Sequence, residues 1–471
     1  MATSAKGPAD VTPDDDSPQN PGEEDPLSAL FGGPVPPEMR EALQSMGLDK
    51  MDPAMMRQMQ AQIHAMMNST DDGPVNADLS RDTARAVVAQ AGDTSLSARN
   101  ASDVEQVVQV ATLWLDAVTD FAPPSGGAAA LSRAEWVEQT LPVWRTLTAP
   151  VAEGVRAAMT TAMKQQMGEL GEAGEAMQIP GMPPGMNPAQ LMSQMEPMMQ
   201  RMSSAMFGAQ VGQAVGTLAG ETVSGTEVGL PLLPAPTVAL LPANVSDFAE
   251  GLEVDAGEVH LYLAVREAAR VRLFAEVGWL GPQLLTAVQD YARDIRIDTE
   301  AIESAVRSVD PSDPTAMQEA LSGSLFTPEP SPAQKLALTR LETFLALVEG
   351  WVDLVSERAC AEHLPAVAAL SEAVRRRRAT GGPAEKVFAS LVGLELRPRR
   401  LRDAANLWAA LEDAHGQAAR DRAWAHPDLA PTADDLDDVL GYVERVGGAR
   451  DDQQRAMDEE LDKLLSDSDP T

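Results

Sequence analysis

Cysteine is almost missing from this sequence: Cys360 is the single thiol in 471 residues. That excludes an internal disulfide and any zinc site built on cysteine pairs. Aromatic residues are scarce as well, 4% of the chain against 44% hydrophobic overall, so a core has to be assembled from Ala, Val, Leu and 23 Met. Such residues favour helix over strand, and the expected fold class is mainly α. No run of 18 or more apolar residues occurs, which excludes an ordinary membrane span. The first twenty residues lack the apolar stretch of a secretory signal, so the chain reads as cytoplasmic. Positive charge is short too: 36 Lys and Arg stand against 71 Asp and Glu, a formal charge of -35. Nucleic acid and anionic lipid would be repelled by that surface, and no nucleic-acid partner is expected. Neither a G-x-x-x-x-G-K-[ST] nor a G-x-G-x-x-G phosphate loop stands at a strand-to-helix junction.

What is present divides the chain into four stretches. Residues 1–36 are rich in Pro, Gly, Asp and Glu and cannot bury enough apolar surface to order themselves. Residues 37–75 carry a Met-rich helical pattern, Met51, Met55, Met56, Met59, Met66 and Met67, whose thioethers suit either packing on its own domain or an adaptable contact with a protein or peptide partner. Residues 76–441 read as one predominantly helical domain, and 442–471 as an acidic helix or loose tail.

Within the helical domain, Ser102 with Glu105 and Ser132 with Glu135 have capping-box spacing. The first predicts a helix from there to about Phe121; the second predicts one that runs to a break at Pro142. Methionine recurs twelve times between Ala158 and Met206, interrupted by a helix-breaking loop at Ile179–Gly185. Glycines at 208, 212, 216 and 220 form one stripe down a helix face, where another backbone can approach closely. Thr237–Leu241 is the best strand candidate. A helix is expected over about Gln283–Ile295, linker over much of 308–332, and a long helix from Ser331-Pro332 that places Glu349 and Asp353 on one face. From Ser371 to Asp403 the charge reverses, with Arg375–Arg378, Lys386, Arg397, Arg399, Arg400 and Arg402 against four acids. Internal neutralisation is the favoured reading of that basic island, because the aromatic interleaving of a nucleic-acid site is missing.

The stretch Val259–Phe274, VHLYLAVREAARVRLF, sets three charged residues in an apolar helical surround. By spacing, Arg266-Glu267-Ala268-Ala269-Arg270 has the outline of the zinc-protease helix H-E-x-x-H, with arginine where each histidine would stand. Together with Phe207–Gly220, Trp279-Leu280, Leu341–Asp353, Arg375–Arg402 and Trp424–Leu429, this helix resembles the zinc-dependent metalloproteases of actinobacteria, a zincin-like family described as hydrolases. The resemblance implies a zincin-like fold, mainly α, with at most a small β element before the active-site helix. It implies zinc as cofactor, Glu267 at the position of the general base, Glu349 at that of the third ligand, and Asp353 one turn on as an orienting group. Arg266 and Arg270 occupy the two remaining ligand positions. Guanidinium stays protonated and has no lone pair to offer a cation, so the metal site is expected to be lost.

Three functions follow as alternatives. The first is a non-catalytic zincin-fold binding or scaffold protein. The second is an active metallopeptidase or hydrolase with a nonstandard metal site around Glu267 and Glu349, in which His260 could substitute as a ligand. The third is an adaptor that binds partners through its Met-rich segments. Locally, Arg266 and Arg270 either neutralise Glu267 and Glu349 in a salt-bridge knot, or Glu267 and Arg270 form an ordinary exposed pair with Arg266 solvated. Cys360, three residues before His363, has nothing that marks it as an activated nucleophile.

Overall fold

The computed structural model describes residues 73–173, 188–295, 331–380, 382–394 and 400–448. Nearly all of the Met-rich stretch 37–75, the expected loop at Ile179–Gly185, most of the expected 308–332 linker and the residues beyond 448 lie outside these residues. What is described is mainly helical, as composition predicts, with one two-stranded sheet.

Helix α1 (Ala77–Ala91) opens at Asn76, whose side chain accepts from the Leu79 amide, and lies along α4 (Pro188–Glu221). The glycine stripe on α4 makes this approach. A Cβ at Gly208 would sit 2.7 Å from the Asn76 carbonyl oxygen, one at Gly212 2.4 Å from that of Ser80, and one at Gly216 2.9 Å from that of Ala84. Gly220 has nothing within 4 Å, so the fourth glycine of the stripe is not needed for contact. Gly212→Ala is therefore expected to push the helices apart at a cost of about 1–3 kcal/mol. Gly220→Ala should cost nothing, and a urea-midpoint comparison of the two variants checks the difference.

Helix α2 (Ala98–Leu115) departs from expectation at both ends. Its capping box is Ser97 with Asn100, not Ser102 with Glu105: the Asn100 amide donates to Ser97 Oγ and the Ser97 amide to Asn100 Oδ1. It stops at Leu115 rather than near Phe121, where Arg272 reaches across to donate to the Thr112 and Phe121 carbonyls and to pair with Asp116. Helix α3 (Arg133–Ala173) begins in the expected Ser132–Glu135 box. It does not break at Pro142 but continues through Pro142 and Pro150. A proline inside a helix costs about 3 kcal/mol; burial of Trp136, Leu141, Trp144, Leu147 and Val151 against α1, α4 and α7 (Leu280–Arg293) outweighs it.

Strand β2 (Val238–Leu240) falls within the predicted Thr237–Leu241 and pairs in parallel with β1 (Ala128–Ala130), while Ser224 bridges to its other edge at Leu240. It leads through α5 (Pro242–Ala249) into α6 (Ala256–Glu276), capped by Asp255. Helix α6 is buried without interruption from Tyr262 to Leu273, with α2, β2, α5 and α8 (Pro332–Cys360) around it. A helix enclosed on all sides is normally apolar all round, and α6 is not. Helix α8 starts as predicted, with Pro332 in the first turn and a Ser331–Gln334 capping box. Helices α9 (Val367–Ala379), α10 (Pro383–Val392), α11 (Leu401–His415), α12 (Gln417–Arg422) and α13 (Ala433–Asp437) complete the described fold.

Candidate functional site

Three elements supply the charged cluster at the centre of the protein. Helix α6 contributes Arg266, Glu267 and Arg270, of which Glu267 is 0% exposed and Arg270 2%. Helix α8 contributes Glu349 and Asp353, four residues apart and both buried. Helix α9, the start of the basic island, brings Arg375 and Arg378. The pairing of Glu267 with Arg270 is thus not a solvated surface pair.

Arg266 divides its guanidinium between the α8 carboxylates, Nη1 donating to Asp353 Oδ1 at 2.8 Å and Nη2 to Glu349 Oε2 at 3.2 Å. Arg270 faces both glutamates: Nε donates to Glu349 Oε1 and Nη1 to Glu267 Oε2, each at 2.9 Å. Arg378 adds a third cation on Glu349, Nη2 to Oε2 at 2.9 Å, and Arg375 holds Asp353 Oδ2 through Nε and Nη2. The far side of Glu267 is closed by the segment that precedes β2. Ser224 Oγ donates to Oε2 at 2.7 Å, the Thr226 amide to Oε1 at 2.9 Å, and Thr226 Oγ1 to Oε2 at 2.8 Å. Gly225 permits this closure: a Cβ there would sit 3.1 Å from Ala239 Cβ and 3.2 Å from Glu267 Oε1.

The two glutamates differ in acidity. Burial raises the Glu349 carboxyl, but Arg270, Arg378 and Arg266 together overcome it and bring the pKa down to about 2. For Glu267 burial wins over Arg270 and the Ser224 and Thr226 donors, and its pKa is raised. Arg266 stays a cation, its pKa raised by Tyr262, Asp353 and Glu349 against the cost of burial. Arg378 is lowered by burial and by the neighbouring Arg270 and Arg266.

The other sequence candidates lie elsewhere. His260 is on α6, its pKa lowered by burial, and its Nε2 has no hydrogen-bond partner among the described residues; the bonds and ion pairs of Glu267 and Glu349 go to other groups. His363 stacks on Trp114, His415 meets the Val443 carbonyl, His426 is exposed beside Asp428, and His64 is outside the described residues. Burial raises the Cys360 thiol to about 12, which leaves it a poor nucleophile.

Sequence reasoning did not single out Ser224 and Thr226 as partners of Glu267, nor Arg272, which is wholly buried and ties α6 to the end of α2. It left Arg375 and Arg378 unassigned within the basic island. Internal neutralisation describes both, and Arg377 likewise pairs with Glu227.

Comparison with known proteins agrees with this architecture. No curated protein matches the chain. A crystal structure from Chloroflexus aurantiacus, described as a "putative hydrolase with a novel fold", superposes with a TM-score of 0.53 at 15% identity, covering 79% of this chain and 99% of that one. At that identity the likeness is one of fold. Residues 75–443 match the model of the zincin-like metallopeptidases, and with most of the chain inside that match the protein belongs to the zincin-like metallopeptidase family.

Proposed function

We propose that this chain is a zincin-fold protein that has exchanged metallopeptidase chemistry for a non-catalytic binding or scaffold role. The family implies zinc, and the residues present do not fit it. Two guanidiniums, which cannot ligate a cation, stand at two of the three ligand positions of the motif and point their N–H groups at the third, Glu349. Among the described residues no three His, Cys, Asp or Glu side chains are arranged to hold a metal ion. Glu267, at the general-base position, already accepts from Ser224, Thr226 and Arg270, which leaves it poorly placed to take a proton from water. The observation that carries the reading is the direct contact of Arg266 and Arg270 with Glu349.

A binding role is favoured by two surface features, a cleft next to the cluster and exposed methionines on another part of the protein. A cleft of about 230 Å³ lies between the 231–237 segment and Val271 and Phe274 of α6, and Met202 and Met206 are exposed on α4. No helix among the described residues is long and apolar enough to cross a membrane.

Metal analysis of the purified full-length protein is the test. Zinc far below one atom per chain, and no chelator-sensitive peptidase activity, are the expected results. One tightly held zinc per chain that is lost in Glu349→Ala would overturn the proposal.

A further inference from the structure

Methionine is unevenly spread along α4. Six of the 23 stand in its first part, at 192, 195, 198, 199, 202 and 206, and none in the part from Phe207 to Glu221. That second part meets α1 with Gly208, Gly212 and Gly216 and buries Val211, Val215 and Leu218. The helix thus packs through glycine, valine and leucine, and methionine is kept for the other end.

Met202 and Met206 face outward. Met202 is 58% exposed and Met206 40%, whereas their neighbours Ser204, Ala205 and Phe207 are buried. Four residues apart in a helix, the two stand one turn from each other on the same face, with Cβ atoms about 5–6 Å apart. Positions 195 and 199 continue the same stripe toward the start of α4. A single exposed apolar side chain needs no reason, but a row of one residue type does.

An apolar contact surface needs flexible hydrocarbon, which leucine also supplies. What methionine alone adds is the thioether sulfur, a polarizable ligand that carries no charge and holds no proton. Thioether suits copper(I), whereas magnesium and calcium take carboxylate, carbonyl or water oxygens. Residues 188–206 contain one carboxylate, Glu196, and neither histidine nor cysteine, so a hard cation finds no ligand set there. Cys360, the single thiol of the chain, is wholly buried and does not compete for an ion at this surface.

We propose that Met202 and Met206 form a surface site for a soft monovalent cation, copper(I), held between their two sulfurs. The helix fixes the spacing, and the three rotatable bonds of each methionine let both sulfurs turn onto one ion. The site shares no residue with the Arg266–Glu349 cluster and does not rest on the loss of zinc.

The test compares the full-length protein with its double variant Met202→Leu/Met206→Leu. Leucine keeps the apolar character and nearly the volume of the face and removes only the sulfurs. Both chains are titrated with copper(I) under anaerobic, reducing conditions against a chromogenic copper(I) chelator. The unaltered chain should retain one more copper(I) equivalent than the variant. Silver(I) serves as a redox-inert stand-in for a second measurement, on protein isotopically labelled at its methionine methyl groups. It should shift the methyl signals of Met202 and Met206, identified by their absence in the single variants Met202→Leu and Met206→Leu. Equal copper retention by the two chains overturns the inference, and an apolar contact surface without metal is then the reading that stands. Silver shifts confined to other methionines overturn it as well. If the double variant does not fold, the methyl spectrum of the unaltered chain decides alone.

Discussion

Alanine in place of Glu349 is expected to cost about 3–5 kcal/mol of unfolding free energy, the range for a buried ion pair that loses one partner. Glu349 is 3% exposed in its side chain and accepts from Arg266, Arg270 and Arg378. Its removal leaves three guanidiniums without their shared anion, two of them with almost no access to water. The cost arises from those stranded charges more than from lost contacts. Glu357→Ala is the control: Glu357 pairs with Arg375 but is 37% exposed, so water takes over its role and the change should stay within about 1 kcal/mol. Urea unfolding followed by tryptophan fluorescence measures both. A Glu349→Ala protein as stable as the Glu357→Ala variant would mean that the arginine cluster does not hold α6, α8 and α9 together.

Acid should weaken the unaltered protein through the same residue. The Glu349 pKa is lowered to about 2 in the folded chain, against about 4.3 when unfolded. A carboxyl with a lowered folded pKa contributes stability that is fully present above the unfolded pKa and disappears as pH falls through the folded value. Its contribution, about 3 kcal/mol, is thus lost between about pH 5 and about pH 2. Glu267 acts with the opposite sign. Its raised pKa means that burial penalises the ionised form, so its contribution is present at low pH and declines as pH rises through the raised value. Urea midpoints measured across this range should show an acid limb that Glu349→Gln flattens and Glu267→Gln leaves in place. An acid limb unchanged by Glu349→Gln would assign it to other carboxylates.

Features legible in the sequence are those decided within a few residues of chain. The Ser331-Pro332 start of α8, the Ser132–Glu135 box of α3 and strand β2 all depend on local hydrogen bonds or local propensity. The glycine stripe told of a close approach because a missing Cβ is a local fact, although its partner, α1, was not legible. The misplaced start of α2 is a local error, since Ser97–Asn100 forms the box in place of Ser102–Glu105; the other two errors have the opposite character. Pro142 is overridden by packing of α3 on α1, α4 and α7, and the end of α2 is set by Arg272, more than 150 residues away in sequence.

The cluster itself separates the two sources of information. From sequence alone came a mainly α chain, the H-E-x-x-H outline with both histidines replaced by arginine, and Glu349 and Asp353 one turn apart on a later helix. Helical spacing placed Arg266, Glu267 and Arg270 near one another but could not say whether they faced water or a partner. The tertiary structure decided that: it buries α6 from Tyr262 to Leu273 and brings α8, α9 and the 224–226 segment against it. Neutralising a buried charge takes a counter-charge within hydrogen-bonding reach, and for Arg266 and Arg270 most of that counter-charge stands some 80 residues further along the chain.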